Sequence, residues 1–138
     1  MHKKPLLCLD LEGTLISNAI SQIPRPGLHD FLEEVALLCD LVLYTSVSAG
    51  RTRAIQQLLV EEKSVPCWFA GLDTIRPVGT IKYQSACGRS DAYLLDDQGG
   101  VIAPEERKWW IPIKEYLPPY SMEDRGFVDA LDRIRKLA

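Results

Sequence analysis

Three short apolar runs of the sequence each end in polar side chains that could bind a ligand or react with it. In chain order these side chains are Asp10 and Glu12, Thr45 and Ser46, and Asp96 and Asp97. Taken singly, an acid at such a position is typical of a turn or a helix cap. Carboxylates held close together repel one another and favour a bound cation. Their chemistry therefore depends on whether the fold brings them to one place.

The pattern of the whole chain predicts strands that alternate with helices. The segments of strand type are PLLCLD, DLVLYTS, VPCWFA and DAYLLDD, and the segments of helical type are PGLHDFLEEVALLC, AGRTRAIQQLLVEEK, KYQSACG and EDRGFVDALDRIRKLA. Strands that are apolar on both faces and alternate with helices indicate an open parallel α/β sheet of Rossmann-like type, flanked by helices. The segment GLDTIRPVGTIK fits this alternation least well, and its Gly, Pro and β-branched residues predict a small β-hairpin or an extended loop.

The predicted sheet gives the polar side chains a common location. In open parallel sheets, ligands bind beyond the carboxyl ends of the strands. The acids and hydroxyls listed above follow three such ends, and Lys82 precedes the strand that ends in Asp96. We therefore expect one site at this edge of the sheet.

The composition predicts a single domain spanning residues 1–138. A chain of 138 residues, 46% hydrophobic and 25% charged, is long enough for one core. The net charge is -3 and the basic residues are scattered, so no nucleic-acid partner is predicted. Cys8, Cys39, Cys67 and Cys87 lie among apolar or small residues, which indicates free buried thiols in a reducing compartment. No apolar run is long enough to cross a bilayer, and we expect a cytoplasmic protein.

The polar motifs also resemble those of a known enzyme superfamily. DLEGTL, LVLYTS, Lys82 and LLDD are similar, in this order, to the four motifs of the haloacid dehalogenase superfamily, whose first motif is Asp-x-Asp followed by a small residue and Thr. The segment RPGLHDFLEEVALLCDLVLYTS resembles the corresponding part of the NLI interacting factor-like group, small phosphatases acting on the RNA polymerase carboxy-terminal domain. The segment WWIPIKEYL resembles their closing strand only weakly. The resemblance implies a Mg²⁺-dependent phosphomonoester hydrolase, a phosphatase that works through an aspartyl phosphate.

The resemblance implies a nucleophile and a set of metal ligands. Asp10 would attack phosphorus, which divides hydrolysis into two easier steps. Mg²⁺ would be bound by Asp10, Asp96 and the backbone carbonyl of Glu12, with Asp97 acting through water or a second hydrogen bond. These are the oxygen ligands that Mg²⁺ prefers.

The phosphate group of the substrate would contact the turn after Asp10 and the end of the second strand. Thr45 would donate its hydroxyl to a phosphate oxygen, with Ser46 beside it. Gly13 would allow a turn tight enough for backbone amides to face the phosphate, and this role does not exclude that of an ordinary loop glycine. Thr14 would hold that turn by a side-chain hydrogen bond.

Lys82 is favoured over the other candidate cations of the site. It would neutralise the charge of Asp10 and of the phosphate. Lys63 is the alternative, but it follows the apparent end of a helix, where a solvated lysine is expected. His2 and His29 are not expected to be catalytic, because the first is terminal and the second lies beside the apolar stripe of a helix.

The chain departs from the superfamily pattern at Glu12. Hydrolytic members have a second Asp there, which acts as general acid and then as general base. Glu12 keeps the carboxyl group but moves it by roughly one bond length, and a misplacement of about 1 Å can cost around a hundredfold in rate. Two hypotheses follow: an active phosphatase, or a phosphatase-like binding module with impaired catalysis.

The spacing of the motifs leaves no room for a large cap domain like those that enclose small metabolites in other superfamily members. Residues 10–45 hold one loop and one helix, and residues 45–82 hold a helix, a short strand and the hairpin-like segment. We therefore predict an open site, which suits a phosphate displayed on a protein, a peptide or another large molecule.

Overall fold

The fold is built on a five-stranded parallel sheet, in a computed structural model that describes residues 3–137. In chain order its strands are β1 (Leu6–Leu9), β2 (Asp40–Tyr44), β3 (Thr74–Ile75), β4 (Ala92–Asp96) and β5 (Trp110–Pro112). Across the sheet the order is β3-β2-β1-β4-β5. The α-helices are α1 (Leu28–Leu38), α2 (Ala49–Glu61) and α3 (Gly126–Leu137), and short 3₁₀ helices cover Cys67–Gly71, Gln84–Cys87, Gly99–Val101 and Pro104–Trp109. The predicted α/β architecture is confirmed.

The central strand β1 is apolar along its whole length because both faces of the sheet are covered. On β1, Leu7 and Leu9 join the larger cluster of buried side chains, to which all three α-helices contribute. Leu6 and Cys8 point the other way, into a smaller cluster that includes Trp109. This alternation gives β1 a continuous apolar sequence, as expected for a central strand buried on both faces.

Helices α1 and α3 pack side by side on the larger cluster. The rings of Phe31 and Phe127 stack with their centroids 4.3 Å apart. Pro26 precedes α1, and Gly27 at its N-cap has a left-handed backbone with φ 83°, which favours glycine. The helix that the sequence predicts to begin after Pro26 is thus present.

One segment differs from its predicted structure, and another forms one of the two structures predicted for it. VPCWFA was predicted as a strand, but Cys67–Gly71 forms a 3₁₀ helix in which Phe69 is fully buried. GLDTIRPVGTIK was predicted as a small β-hairpin or an extended loop, and the extended loop is the structure that forms. In the described residues only Thr74–Ile75 of this segment pairs, in parallel with β2, and the hairpin is absent. Pro77 has no backbone N–H with which to continue a ladder, and Val78 is fully exposed.

The cysteines are free, but not all of them are buried. Cys8 and Cys39 are buried, whereas Cys87 is half-buried. Cys67 is exposed, so the prediction of a buried thiol is wrong there, because this residue opens a 3₁₀ helix on the surface instead of lying in a strand. His2 lies outside the described residues. Within residues 3–137, no helix combines the length and apolar character needed to cross a membrane.

Candidate active site

The register of the sheet places the ends of β1 and β4 next to each other. Leu9 pairs with Leu95, and the Asp10 amide continues the ladder by donating to the Leu95 carbonyl at 3.0 Å. Asp10 and Asp96 therefore emerge side by side at the carboxyl edge. A cavity of about 510 Å³ opens there, and the residues predicted for the site all line it: Asp10, Glu12, Gly13, Thr45, Ser46, Lys82, Asp96 and Asp97.

Lys82 bridges the two central acids. Its Nζ donates to Asp10 Oδ1 at 2.8 Å and to Asp96 Oδ2 at 2.6 Å, and the residue is only 4% exposed. Its backbone amide is held by the Val101 carbonyl at 2.8 Å. Lys63 is exposed just after the end of α2 and does not line the cavity. The structure thus brings Lys82, and not Lys63, to the acids.

Burial and mutual charge perturb the ionisation of this trio. Burial raises the pKa of Asp10 well above its usual range, and the nearby Asp96 adds to the rise against the opposing effect of Lys82. Burial also raises the pKa of Asp96, although Lys82 opposes it. For Lys82, burial alone would lower the pKa, but the two carboxylates outweigh it and raise the pKa. One lysine therefore does not fully balance the charge of the buried carboxylates.

The donor set of the cavity fits a hard divalent cation. Carboxylate oxygens of Asp10, Asp96 and Asp97 lie within 4.8 Å of one another. Among the described residues, the Glu12 carbonyl oxygen accepts no hydrogen bond. Oxygen ligands beside a partly uncompensated negative charge are what Mg²⁺ requires. The other acid cluster, His29, Asp30 and Glu33 on α1, does not line this cavity.

Thr14 ties the turn after β1 to the acids. Its buried hydroxyl lies 2.9 Å from both Asp10 Oδ2 and Asp97 Oδ1. Because a hydroxyl has one proton, it donates to one of these carboxylates at a time. The hydrogen bond that was predicted to hold the turn is therefore present, and it extends to the second acid of the LLDD motif.

Gly13 makes room for Asp97. Its φ is 76°, a conformation that favours glycine, and a Cβ at this position would lie 2.6 Å from Asp97 Oδ2. Its amide donates to the Ile16 carbonyl at 2.8 Å and is not free to face a phosphate. The glycine thus fits the tight turn expected of it, while a phosphate contact from its own amide has no support in this geometry.

Glu12 reaches away from the strand axis toward the loop that follows. Its Oε2 accepts a hydrogen bond from the Ala19 amide at 2.7 Å, and the side chain is half-buried in the cavity wall. The Asn18 side chain in turn accepts from the amides of Ile20 and Ser21, both at 2.8 Å. The longer Glu side chain is thus held by an ordered loop, which fixes one of its oxygens.

The hydroxyl pair after β2 is divided between the wall and the rim of the cavity. Thr45 is buried, and its Oγ1 accepts from the Val47 amide at 3.2 Å, which leaves its own proton available to donate. Ser46 is exposed, and its carbonyl accepts from Arg76 Nε at 3.3 Å. Thr45 therefore has the geometry of a phosphate donor, and Ser46 lies at the entrance.

Arg25 is a supporting residue that sequence reasoning missed. It is 1% exposed and donates Nη1 to the Thr14 carbonyl at 3.2 Å, Nη2 to the Lys114 carbonyl at 2.7 Å, and Nε to Asp124 at 2.7 Å. A Cβ at Gly126 would clash with this guanidinium, so the lack of a side chain at Gly126 leaves the space that Arg25 occupies. The Arg-Pro-Gly segment was the available signal, but no local pattern identifies a partner 99 residues later.

Trp110 also supports the site, through a hydrogen bond from its indole ring that the sequence does not predict. Its indole N–H donates to the Asp96 carbonyl at 3.0 Å, and Gly99 packs against the same ring. Trp109 is buried in the smaller cluster, where its ring meets Tyr44 edge-on at 6.3 Å. The two tryptophans therefore pack at the β5 edge of the sheet.

The ion pair of Arg25 and Asp124 gives a prediction for stability against pH. Burial tends to raise the pKa of Asp124, but hydrogen bonds from Arg25 and the Gly126 amide outweigh it and lower the pKa. A lowered acid pKa stabilises the fold above the unfolded value near 3.9, and this contribution is lost as pH falls through the folded pKa. We expect Asp124→Asn to lower the free energy of unfolding by about 3 kcal/mol at pH 7. The difference should shrink below about pH 4.

Urea unfolding of both proteins at several pH values measures this difference. Asp132→Asn is a matched control on α3, because Asp132 is exposed and lies 3.9 Å from Arg135. It should change stability by less than about 0.5 kcal/mol at any pH. An equal loss for Asp124→Asn at pH 3 and pH 7 would contradict the assigned role of the ion pair.

Comparison with known protein families agrees with this geometry. The chain matches the model of the NLI interacting factor-like phosphatases over residues 5–138, and it belongs to that family. This membership is consistent with the haloacid dehalogenase superfamily and supports phosphatase activity in general. A search of curated proteins found no significant match.

Proposed function

We propose that this protein is a Mg²⁺-dependent phosphomonoester hydrolase that acts through an aspartyl phosphate on Asp10. The observation that carries the proposal is the buried Lys82 bridge between Asp10 and Asp96 at the end of adjacent strands. Such a trio places a carboxylate beside a fixed positive charge, inside a cavity large enough for a phosphate group. Family membership supports the general activity.

Asp10 is the proposed nucleophile. Its carboxylate attacks phosphorus, the bond from phosphorus to the leaving oxygen breaks, and Glu12 gives a proton to that oxygen. In the second step Glu12 takes a proton from a water molecule as the water attacks phosphorus. The bond from phosphorus to Asp10 then breaks, which restores the Asp10 carboxylate and releases inorganic phosphate.

Mg²⁺ would be held by Asp10, Asp96 and the backbone carbonyl of Glu12, with Asp97 in support. When bound, it would neutralise phosphate charge and so allow a carboxylate to approach a dianion. Thr14 orients Asp10 and Asp97, from 2.9 Å each. The Asp96 carboxylate is held further by the Gln98 amide at 2.9 Å, so the ligand oxygens are fixed by the protein.

Lys82 and Thr45 would hold the phosphate group. Lys82 remains protonated because two carboxylates raise its pKa, so it offers positive charge next to Asp10. Thr45 offers a hydroxyl proton from the adjacent strand end. Together they would balance charge that develops on the phosphate oxygens during transfer.

The proposed substrate is a phosphate displayed on a protein, a peptide or another large molecule. Between Asp10 and Lys82 the described chain forms α1, α2, one 3₁₀ helix and the strands β2 and β3, with no folded lid over the cavity. The rim is made of short loops that contain Asn18, Ser46 and Thr80. The free thiols are compatible with the reducing cytoplasm expected from the sequence.

Phosphate release measured across a Mg²⁺ titration tests this proposal. p-Nitrophenyl phosphate and a panel of phosphopeptides are compared in the wild type and in Asp96→Ala, with Mg²⁺ binding followed by calorimetry. We expect Mg²⁺-dependent release in the wild type, and at least tenfold weaker Mg²⁺ binding in Asp96→Ala because an anionic ligand is lost. Equal Mg²⁺ affinity in both proteins would refute the metal assignment, and no release from wild type would refute the phosphatase.

A binding module with impaired catalysis is the second candidate. The observation that favours it is the hydrogen bond from the Ala19 amide to Glu12 Oε2, which holds the acid toward the loop. Such a module would bind phosphopeptides without releasing phosphate. The same panel separates the two functions, since binding and release are measured on the same peptides.

A further inference from the structure

Two thiols are in contact on the face of the sheet that the smaller cluster covers. The Sγ atoms of Cys8 and Cys87 lie 3.1 Å apart, although the residues are 79 positions apart in the chain. Cys8 is in β1, fully buried and two residues before Asp10. Cys87 is the last residue of the 3₁₀ helix Gln84–Cys87, and it is half-buried. Neither thiol has a part in the proposed phosphate chemistry.

We infer that Cys8 and Cys87 form a redox-active pair that hydrogen peroxide converts into a disulfide. The Cys87 thiol takes one oxygen atom from peroxide to become a sulfenic acid, and the first water leaves. The Cys8 thiol then attacks the Cys87 sulfur, a sulfur–sulfur bond forms, and the second water leaves. Two thiols lose two electrons and peroxide gains them, so the reaction is balanced.

The order of the two thiols follows from their exposure. Cys87 is half-buried and can be reached from the surface, since Ser85 and Ala86 just before it are exposed. Cys8 is 0% exposed and so meets peroxide only after Cys87 does. A buried second thiol in contact with the first reacts with a sulfenic acid before solvent oxidant can carry that acid further.

The remaining cysteines do not share this arrangement. Cys39 is buried at the end of α1, and Cys67 is exposed at the start of the 3₁₀ helix Cys67–Gly71. In the described part of the chain, the contact between Cys8 and Cys87 is the sole cysteine pair within hydrogen-bond distance. Disulfide formation within the chain is therefore expected to be selective for this pair.

The disulfide would act on the site through the segments that it joins. A sulfur–sulfur bond is about 2.05 Å long, so the two atoms must approach by about 1 Å. β1 is packed on both faces, whereas residues 83–87, which directly follow the buried Lys82, lie largely at the surface. This segment is therefore expected to move. Lys82 contacts Asp10 at 2.8 Å, so a shift of its segment disturbs the site. This step rests on the proposed function, and we expect turnover to fall at least about tenfold.

Peptide mapping after oxidation tests the pair. The reduced, folded protein is treated with hydrogen peroxide, the remaining thiols are alkylated, and the digest is analysed by mass spectrometry with and without dithiothreitol. Cys67→Ser is the control that keeps the pair, and Cys87→Ser removes its accessible member by exchanging one atom at the edge of the smaller cluster. Phosphate release from p-nitrophenyl phosphate with Mg²⁺ is measured on the same samples.

We expect a cross-linked peptide containing Cys8 and Cys87, lighter by two hydrogens, in wild type and Cys67→Ser. It should disappear with dithiothreitol and be absent from Cys87→Ser, whose turnover should not respond to peroxide. If Cys8 is found alkylated, and Cys87 is found alkylated or oxidised without a cross-link to Cys8, the proposal is overturned. A cross-link with unchanged turnover would overturn the effect on the site. If the reduced protein releases no phosphate, the proposed phosphatase fails, and the peptide map still decides whether the thiols react.

Discussion

Asp10→Asn is expected to lower phosphatase turnover by at least about a thousandfold, because an amide cannot replace the nucleophilic carboxylate. The side chains have nearly the same size, so the cavity and the neighbouring Thr14 and Lys82 are retained. Initial rates of phosphate release from p-nitrophenyl phosphate with saturating Mg²⁺ measure the effect. A variant that keeps more than a tenth of wild-type turnover would show that Asp10 is not the nucleophile.

The same substitution should not destabilise the fold. Burial raises the pKa of Asp10, which means that the folded protein disfavours its ionised form. Removing that charge is therefore expected to leave the melting temperature unchanged or higher in the absence of Mg²⁺. Asp30→Asn on the exposed face of α1 is the matched control: it should not change turnover, and it should lower the melting temperature by no more than a few degrees because Asp30 lies in the first turn of the helix. Loss of activity with retained stability would separate catalysis from folding.

The location of the site could be predicted because it follows from the geometry of a parallel sheet. Apolar runs that end in acids identify both the buried strands and their carboxyl ends, and adjacent parallel strands bring those ends together. Asp10 and Asp96 are neighbours for this reason, through the pairing of Leu9 with Leu95. The position of Lys82 followed from similarity to the superfamily motifs, since a single lysine gives no periodic signal.

The features that were missed depend on contacts that no local pattern contains. Arg25 and Asp124 are each unremarkable in sequence, and their pairing exists only because α3 returns to α1. VPCWFA has the composition of a strand, but its apolar side chain Phe69 is buried from a 3₁₀ helix instead. Short apolar runs do not distinguish these alternatives, because burial is satisfied by either.

The thiols illustrate the same limit. Cys8 was correctly expected to be buried, since it lies within a central strand. The contact between Cys8 and Cys87 could not be predicted, because it depends on a 3₁₀ helix of four residues that packs the second thiol against the smaller cluster. Cys67 is likewise exposed because it opens a 3₁₀ helix at a place where the sequence predicts a strand.

Glu12→Gln is expected to lower turnover sharply on substrates with poor leaving groups. An amide neither gives a proton to the leaving oxygen nor accepts one from water, and positioned acid–base groups typically contribute roughly a hundred- to ten-thousandfold. p-Nitrophenyl phosphate needs little protonation of its leaving group, so its first step should lose less than that of an alkyl phosphate. The ratio of the two rates, measured in wild type and variant, therefore isolates the general acid.

Glu12→Asp is the matched variant that restores the superfamily residue. The carboxyl group of Glu12 is one methylene farther from the backbone than that of an aspartate, and its Oε2 accepts a hydrogen bond from the Ala19 amide. The shorter side chain should release this hydrogen bond and bring the carboxyl group nearer to Asp10, so turnover is preserved or raised for every substrate. If the wild type is a binding module, it shows no Mg²⁺-dependent turnover, and a gain of activity in Glu12→Asp would identify the extra methylene as the cause. An active wild type whose Glu12→Gln variant matches it on every substrate would show that Glu12 is not the acid–base group, and its hydrogen bond to the 17–22 loop would then be its main role.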